Sequence, residues 1–154
     1  FSHQAAAQAT ATSSADAVIA TPITLTNTAG LDFGTILAGT VASTVQLTAA
    51  ASPTRTVTGG DASLIASTIS AATFTVDGNA GQTYAITLPA DGSVTITSGA
   101  NTMSINGFTH SEGATPTLSV SPPDTIHVGA TLSVGANQAA GIYSGSFDVT
   151  VAYN

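Results

Sequence analysis

The feature that most constrains this chain is a period-two alternation of apolar and hydroxyl side chains, repeated in short runs along most of its length. Phe74 and Val76 alternate with Thr73 and Thr75, and Tyr84, Ile86 and Leu88 alternate with Thr83, Ala85 and Thr87. Val94 and Ile96 alternate with Thr95 and Thr97, while Met103 and Ile105 flank Ser104. Successive side chains of a strand point to opposite faces, so this pattern predicts half-buried antiparallel strands. Helix formers are scarce: Lys is absent, Glu112 is the only Glu and Met103 the only Met. Thr, Val, Ile and Ser, which dominate instead, pack well on a pleated surface. Turn residues punctuate the runs. Asp77-Gly78-Asn79 ends one strand, Asp91-Gly92 and Ser98-Gly99-Ala100-Asn101 link others, and Asn106-Gly107 breaks another. Pro122-Pro123-Asp124 precedes the run from Thr125 to Val128. Roughly ten short strands at this turn spacing predict an all-β, antiparallel sandwich.

Composition removes several classes of function. The 154 residues fit one domain with a substantial core. Apolar residues make up 43 % and charged residues 6 %, a balance opposite to that of disordered chains. The formal charge is −7, and Arg55 is the only Lys or Arg. A nucleic-acid partner requires a basic footprint, and an anionic membrane surface favours one, so neither is expected. No apolar run reaches the ~20 residues that cross a bilayer, so no membrane insertion is expected. With no Cys, neither a disulfide nor a thiolate site can form. The numbering starts at Phe1 rather than Met, from which we expect a removed leader and export. Trypsin-like proteases have a single cut site, at Arg55.

No set of residues assembles into a catalytic pattern. The carboxylates are Asp16, Asp32, Asp61, Asp77, Asp91, Glu112, Asp124 and Asp148, and several adjoin Gly or Pro where turns need them. The alternating Asp/Asn loop that holds calcium is absent. His3, His110 and His127 lack metal-ligand spacing. His110 is expected in a polar loop and His127 on the exposed phase of its strand. There is no Gly-x-Ser-x-Gly elbow, and Gly59-Gly60 lacks the Lys of a phosphate loop. We expect no enzyme, no cofactor and no metal.

The two ends carry the sharper signals. Near the C-terminus Phe147, Val149, Val151 and Tyr153 share one face of a strand, with Asp148, Thr150 and Ala152 on the other. At the N-terminus Phe1, His3, Ala5, Ala7, Ala9 and Ala11 share one phase, and Ser2, Gln4, Gln8, Thr10 and Thr12 fill the other. Twelve extended residues span about 40 Å, enough to cross a whole sandwich. Such a tail can act as a strand whose partner lies elsewhere. We therefore divide the chain into an extension, residues 1–14, and a sandwich domain, residues 15–154. Ala17 to Asn27 is expected to be the first strand of the body, with Pro22 placing it at an edge or a sheet switch.

Several segments resemble the family known as domain of unknown function 4402, nearly end to end. They are Leu31-Asp-Phe-Gly-Thr, Arg55-Thr-Val-Thr-Gly-Gly, Ala72-Thr-Phe-Thr-Val-Asp-Gly, Tyr84-Ala-Ile-Thr-Leu-Pro, Val128-Gly-Ala-Thr-Leu and Gly135-Ala-Asn-Gln-Ala-Ala-Gly-Ile-Tyr-Ser-Gly. That family is similar in turn to spore-coat-U-like and chaperone–usher pilins, which carry a Gly fourteenth from the end and a penultimate Tyr. Gly141 and Tyr153 occupy those places here. The resemblance implies an immunoglobulin-like, pilin-type sandwich lacking its last strand, with a groove bordered by its first and final strands. A periplasmic chaperone fills that groove, and the tail of the next subunit then replaces it, with an outer-membrane usher assembling the filament.

The resulting expectation is a major structural subunit of an extracellular pilus, exported through the periplasm of a Gram-negative bacterium and partnered by copies of itself. Phe1, His3, Ala5, Ala7, Ala9 and Ala11 would form the donor strand. Ile19, Ile23, Phe147, Val149, Val151 and Tyr153 would line or border the acceptor groove. Two departures from such pilins stand out: there is no disulfide, and the donor residues are mainly Ala, which implies a shallow or narrow groove. The alternative is a monomeric adhesive or ligand-binding surface module with the tail as a spacer. A carbohydrate-binding accessory domain would need exposed aromatics, whereas the Tyr and Phe residues fall mostly in core phases.

Overall fold

The computed structural model describes residues 7–154, and the described residues form antiparallel strands with no helix. In chain order the strands are β1 (Thr24–Ala29), β2 (Ile36–Leu37), β3 (Ser43–Leu47), β4 (Arg55–Thr58), β5 (Ser63–Leu64) and β6 (Ala72–Asp77). They continue with β7 (Tyr84–Thr87), β8 (Val94–Ser98), β9 (Asn101–His110), β10 (Asp124–Val134) and β11 (Thr150–Tyr153).

The long strand β10 organises the larger sheet. Its alternate residues Ile126, Val128, Ala130, Leu132 and Val134 are all buried, as the period of two requires. Along one edge it pairs with β9; along the other it pairs with β6 over Asp124–Val128 and with β3 over Ala130–Val134. β1 lies outside β6, β4 outside β3 and β8 outside β9. β10 therefore runs from one end of the molecule to the other.

Gly129 sits where β10 passes from β6 to β3. A Cβ there would collide with the backbone of Leu47, Thr48 and Ala49. On the opposite edge the β9 register shifts between Gly129 and Thr131. Gly107 makes that shift possible by adopting φ +58°. The Asn106-Gly107 pair thus forms a bulge inside β9 instead of ending a strand.

A smaller layer consists of β7 paired with β11; one isolated bridge joins Thr83 to Thr117, and another joins Thr97 of β8 to Ser144. Two apolar clusters fill the interior. One gathers Val45, Leu47, Val94, Ile105, Leu132 and Val134; the other gathers Phe74, Val76, Tyr84, Leu118, Ile126 and Val128. Full burial of an aliphatic side chain of this size contributes about 1.5–3 kcal/mol, so these rows dominate the stability. Leu31, Phe108 and Phe147 pack against both clusters and join them. The rings of Phe108 and Phe147 lie 4.9 Å apart, tilted by 49°. Burial pushes the Tyr84 phenol up to about 12, with the charges of Glu112 and Asp124 acting the same way.

Three expectations change. The first strand starts at Thr24, not Ala17, because Pro22 supplies no backbone donor for a ladder. Residues 7–22 are exposed and carry no strand. His110 ends β9 instead of lying in a loop, and its buried Nδ1 has no hydrogen-bond partner among the described residues. His127 is half-buried, with Nδ1 3.2 Å from Thr73 Oγ1.

At one end of the fold Asp61 gathers a loop around its carboxylate. The Thr40 amide (3.0 Å), the Thr40 hydroxyl (2.8 Å) and the Val41 amide (2.8 Å) all donate to it. The Val41 and Thr40 amides hold its pKa below the ordinary 3.8. A depressed carboxyl pKa contributes stability that is present above the unfolded value and lost as pH falls through the folded one. Protection of the Thr40 and Val41 amides from exchange, relative to an unstructured chain at the same pH, should fall as pH drops below about 4, and Asp61→Asn should abolish that pH dependence.

Gly129→Ala should cost about 3 kcal/mol or prevent folding, since the added methyl meets backbone that cannot retreat. Gly113→Ala, where nothing lies within 4 Å, should leave the thermal midpoint almost unchanged. Thermal denaturation of both variants checks the contrast.

Candidate strand-acceptor cleft

β1 pairs with β6 on one edge only, and β11 pairs with β7 on one edge only. A continuous cleft separates the chain that follows β1 from the chain that leads into β11. Its wider part, about 1090 Å³, lies between residues 30–38 and 138–147. Its narrower part, about 490 Å³, lies between Leu25–Leu31 and Gly145–Val149. The floor is apolar: Val94, Ile96, Met103, Ile105, Leu132 and Val134 in the wide part, Ala72 and Phe74 in the narrow part. Phe147 lines both and marks their junction. The cleft is thus a slot with two backbone walls and a hydrophobic floor.

Local chemistry holds each wall. In Leu31-Asp-Phe-Gly-Thr, Asp32 Oδ1 accepts the Gly34 amide at 2.7 Å, closing a turn that needs φ +67° at Gly34. Asp32 also bridges to Ser70. The Arg55 guanidinium donates to the carbonyls of Phe33 (2.6 Å), Thr35 (3.1 Å) and Ile65 (2.9 Å). Charged hydrogen bonds of this kind are each worth about 1.5–3 kcal/mol when shielded from water, and this side chain is half-buried. On the opposite wall, Cβ atoms at Gly141 and Gly145 would strike Ser98 and the β8 backbone at Thr95 and Ile96. Their absence lets the final segment lie close on β8. Tyr143 Oη donates to the Ala139 carbonyl (2.7 Å) and accepts from Gln138 Nε2 (2.8 Å), bracing the corner before it.

The predicted site residues separate into groups. Phe147 and Val149 line the cleft. Ile23 and Val151 pack into the second apolar cluster beneath it. Ile19 does not border the cleft: it is 96 % exposed, in the segment preceding the body. Tyr153 lies beyond the cleft, where its hydroxyl donates to the Thr21 carbonyl and accepts the Asn79 amide, both at 2.7 Å. Gly141 lines the wide part. Phe1, His3 and Ala5 lie outside the described residues, while Ala7, Ala9 and Ala11 are exposed and unpaired with the body.

Two parts of the site escaped the sequence reading. Leu31, Phe33 and Arg55 belong to motifs that were visible, but their place on a cleft wall depends on long-range pairing. The other omission was legible. Beyond Ala11 the same phase continues through Ser13, Ala15, Ala17 and Ile19, against Thr12, Ser14, Asp16 and Val18. The alternating segment therefore reaches to Ile19, and Pro22 marks its end.

The described residues include no group of three or more metal-ligating side chains. Fold and cleft together define an all-β antiparallel protein in which the open edge of β1 and the chain leading into β11 face each other across an apolar slot. The chain belongs to the family described as Domain of unknown function (DUF4402), whose model matches residues 23–153. No curated protein and no solved structure matches it.

Phe147→Ala should lower stability by about 3 kcal/mol, because the ring joins both apolar clusters. Ile142→Ser, at a 90 % exposed position on the cleft rim, should stay within about 0.5 kcal/mol. Denaturant titration of the two variants separates a structural junction from a rim residue.

Proposed function

We propose that this protein is the major structural subunit of an extracellular pilus-type filament, polymerised by donation of the N-terminal tail of one copy into the cleft of the next. On this reading the sandwich is immunoglobulin-like and incomplete, and the tail of a neighbour supplies its last strand. One observation carries the proposal: the same chain holds an apolar, strand-shaped slot and an exposed, alternating, strand-like tail that does not occupy it.

The dimensions agree. The thirteen residues from Ala7 to Ile19 extend to about 43 Å, and the eleven residues of β10, which traverse the fold, extend to about 36 Å. The tail is long enough to fill the slot from end to end. Its inward phase is small except at Ile19, so one bulky anchor stands at the end nearest the body. Pairing along both walls, together with cover for the floor, would remove an aggregation hazard. The same contacts would couple subunit stability to polymerisation. The same proposal includes export through the periplasm, with a chaperone to protect the open cleft and an usher to assemble the filament.

Two substitutions test the tail: Ala7→Asp and Ala9→Asp should each yield a folded, secreted subunit that forms no filaments. A charge buried in the slot has no partner, because Arg55 is already engaged with backbone carbonyls. A second test uses the chain lacking residues 1–20, which should be unstable or dimer-prone and should gain at least 5 °C in melting temperature on adding a peptide of residues 5–20. A well-folded monomer indifferent to the peptide would instead indicate the self-contained surface module.

A further inference from the structure

We infer that the Tyr153 hydroxyl is a positioning group for assembly: it pins the root of the tail so that the tail leaves its own molecule and its own cleft stays open for another copy. This rests on the strand-donation reading and adds to it a reason why a chain carrying both slot and strand does not simply fill itself.

The geometry is specific. Tyr153 Oη donates to the Thr21 carbonyl at 2.7 Å and accepts the Asn79 amide at 2.7 Å. These bonds tie the last strand to the turn after β6 and to the chain just ahead of β1. Gly78 makes room for the hydroxyl, since a Cβ there would collide with Tyr153 Oη and press on Leu118. Among the described residues, Thr21 is the first to share a hydrogen bond with the body. Residues 7–20 before it are all exposed, and none lines either part of the cleft.

Self-filling would require a reversal in this short span. β1 presents its open edge to the cleft, and the tail enters β1 directly through Thr21, Pro22 and Ile23. To lie beside its own β1, the tail would have to fold back as a hairpin centred on Pro22 and Ile23. Pro22 disfavours the helical conformation at Thr21 and biases it toward extended backbone, and Tyr153 holds the Thr21 carbonyl that such a turn would have to redirect. Proline alone biases the root, whereas the hydroxyl fixes its position. Removing the hydroxyl leaves the ring packed in the second apolar cluster but frees the carbonyl, which makes the intramolecular route available.

The test compares the full-length wild type with Tyr153→Phe, which keeps the ring. It adds Gly78→Ala, which displaces the hydroxyl while leaving the tyrosine in place. Both variants should lose at least tenfold in filament yield. They should accumulate instead as folded monomers whose residues 7–19 are protected from hydrogen exchange and which ignore an added peptide of residues 5–20. Wild-type monomers should show an unprotected tail and take up the peptide. Filament yields equal to wild type would overturn the inference. So would variant monomers with unprotected tails that still bind the peptide, because Tyr153 would then be only a structural contact. If wild-type monomers neither polymerise nor take up the peptide, strand donation itself fails, an outcome distinct from either of those.

Discussion

The constraint on which everything else in this molecule depends is the obligation of a strand edge to find hydrogen-bond partners. β1 meets it on one side only, through β6, and residues 145–149, which lead into β11, lie in no ladder. Between these walls lies an apolar floor made from the same residues that build the core, Val94, Ile105, Leu132 and Val134 among them. Unpaired backbone and uncovered hydrocarbon therefore occur together, and a single added strand would satisfy both.

Rigidity around the slot comes from unusual economy in side chains. Where walls must approach their neighbours closely, glycine removes the Cβ, as at Gly141 and Gly145 against β8 and at Gly129 beneath β3. Away from the ladders, one guanidinium or one carboxylate gathers several backbone groups. Arg55 does this for the Phe33–Thr35 turn on the cleft wall, and Asp61 for the loop at Thr40–Val41, outside the cleft. A chain with 6 % charged residues thus uses two of them as backbone fasteners. The Thr-rich faces fill the remaining exposed strand positions, where hydroxyls suit a pleated surface in water.

Much of this was visible in the sequence. The alternation at Phe74–Val76, Tyr84–Ile86 and Val94–Ile96 became β6, β7 and β8, and the turns at Asp77-Gly78, Asp91-Gly92 and Ser98–Asn101 fell at strand ends. What failed did so for physical reasons. Asn106-Gly107 has the chemistry of a hairpin turn, yet one residue with positive φ serves equally well in a bulge, and only the β10 register decides between them. Ile19 read as part of the body because it shares a phase with Ile23, and periodicity does not register the break in pairing that Pro22 imposes. The convergence of Leu31, Phe33 and Phe147 on one slot depends on contacts between residues more than a hundred positions apart, and local pattern does not encode these.

Arg55 has one more consequence. It is the only Lys or Arg in the chain, hence the only peptide bond that trypsin recognises follows it. Its side chain is occupied by the carbonyls of Phe33, Thr35 and Ile65, so a protease can engage it only after the cleft wall has let go. Cleavage of the native protein therefore reports on opening of that wall: it follows the open population when reclosing outpaces cutting, and the opening rate when cutting outpaces reclosing. The molecule carries its own reporter of local breathing at the edge of the slot, and no label needs to be added to read it.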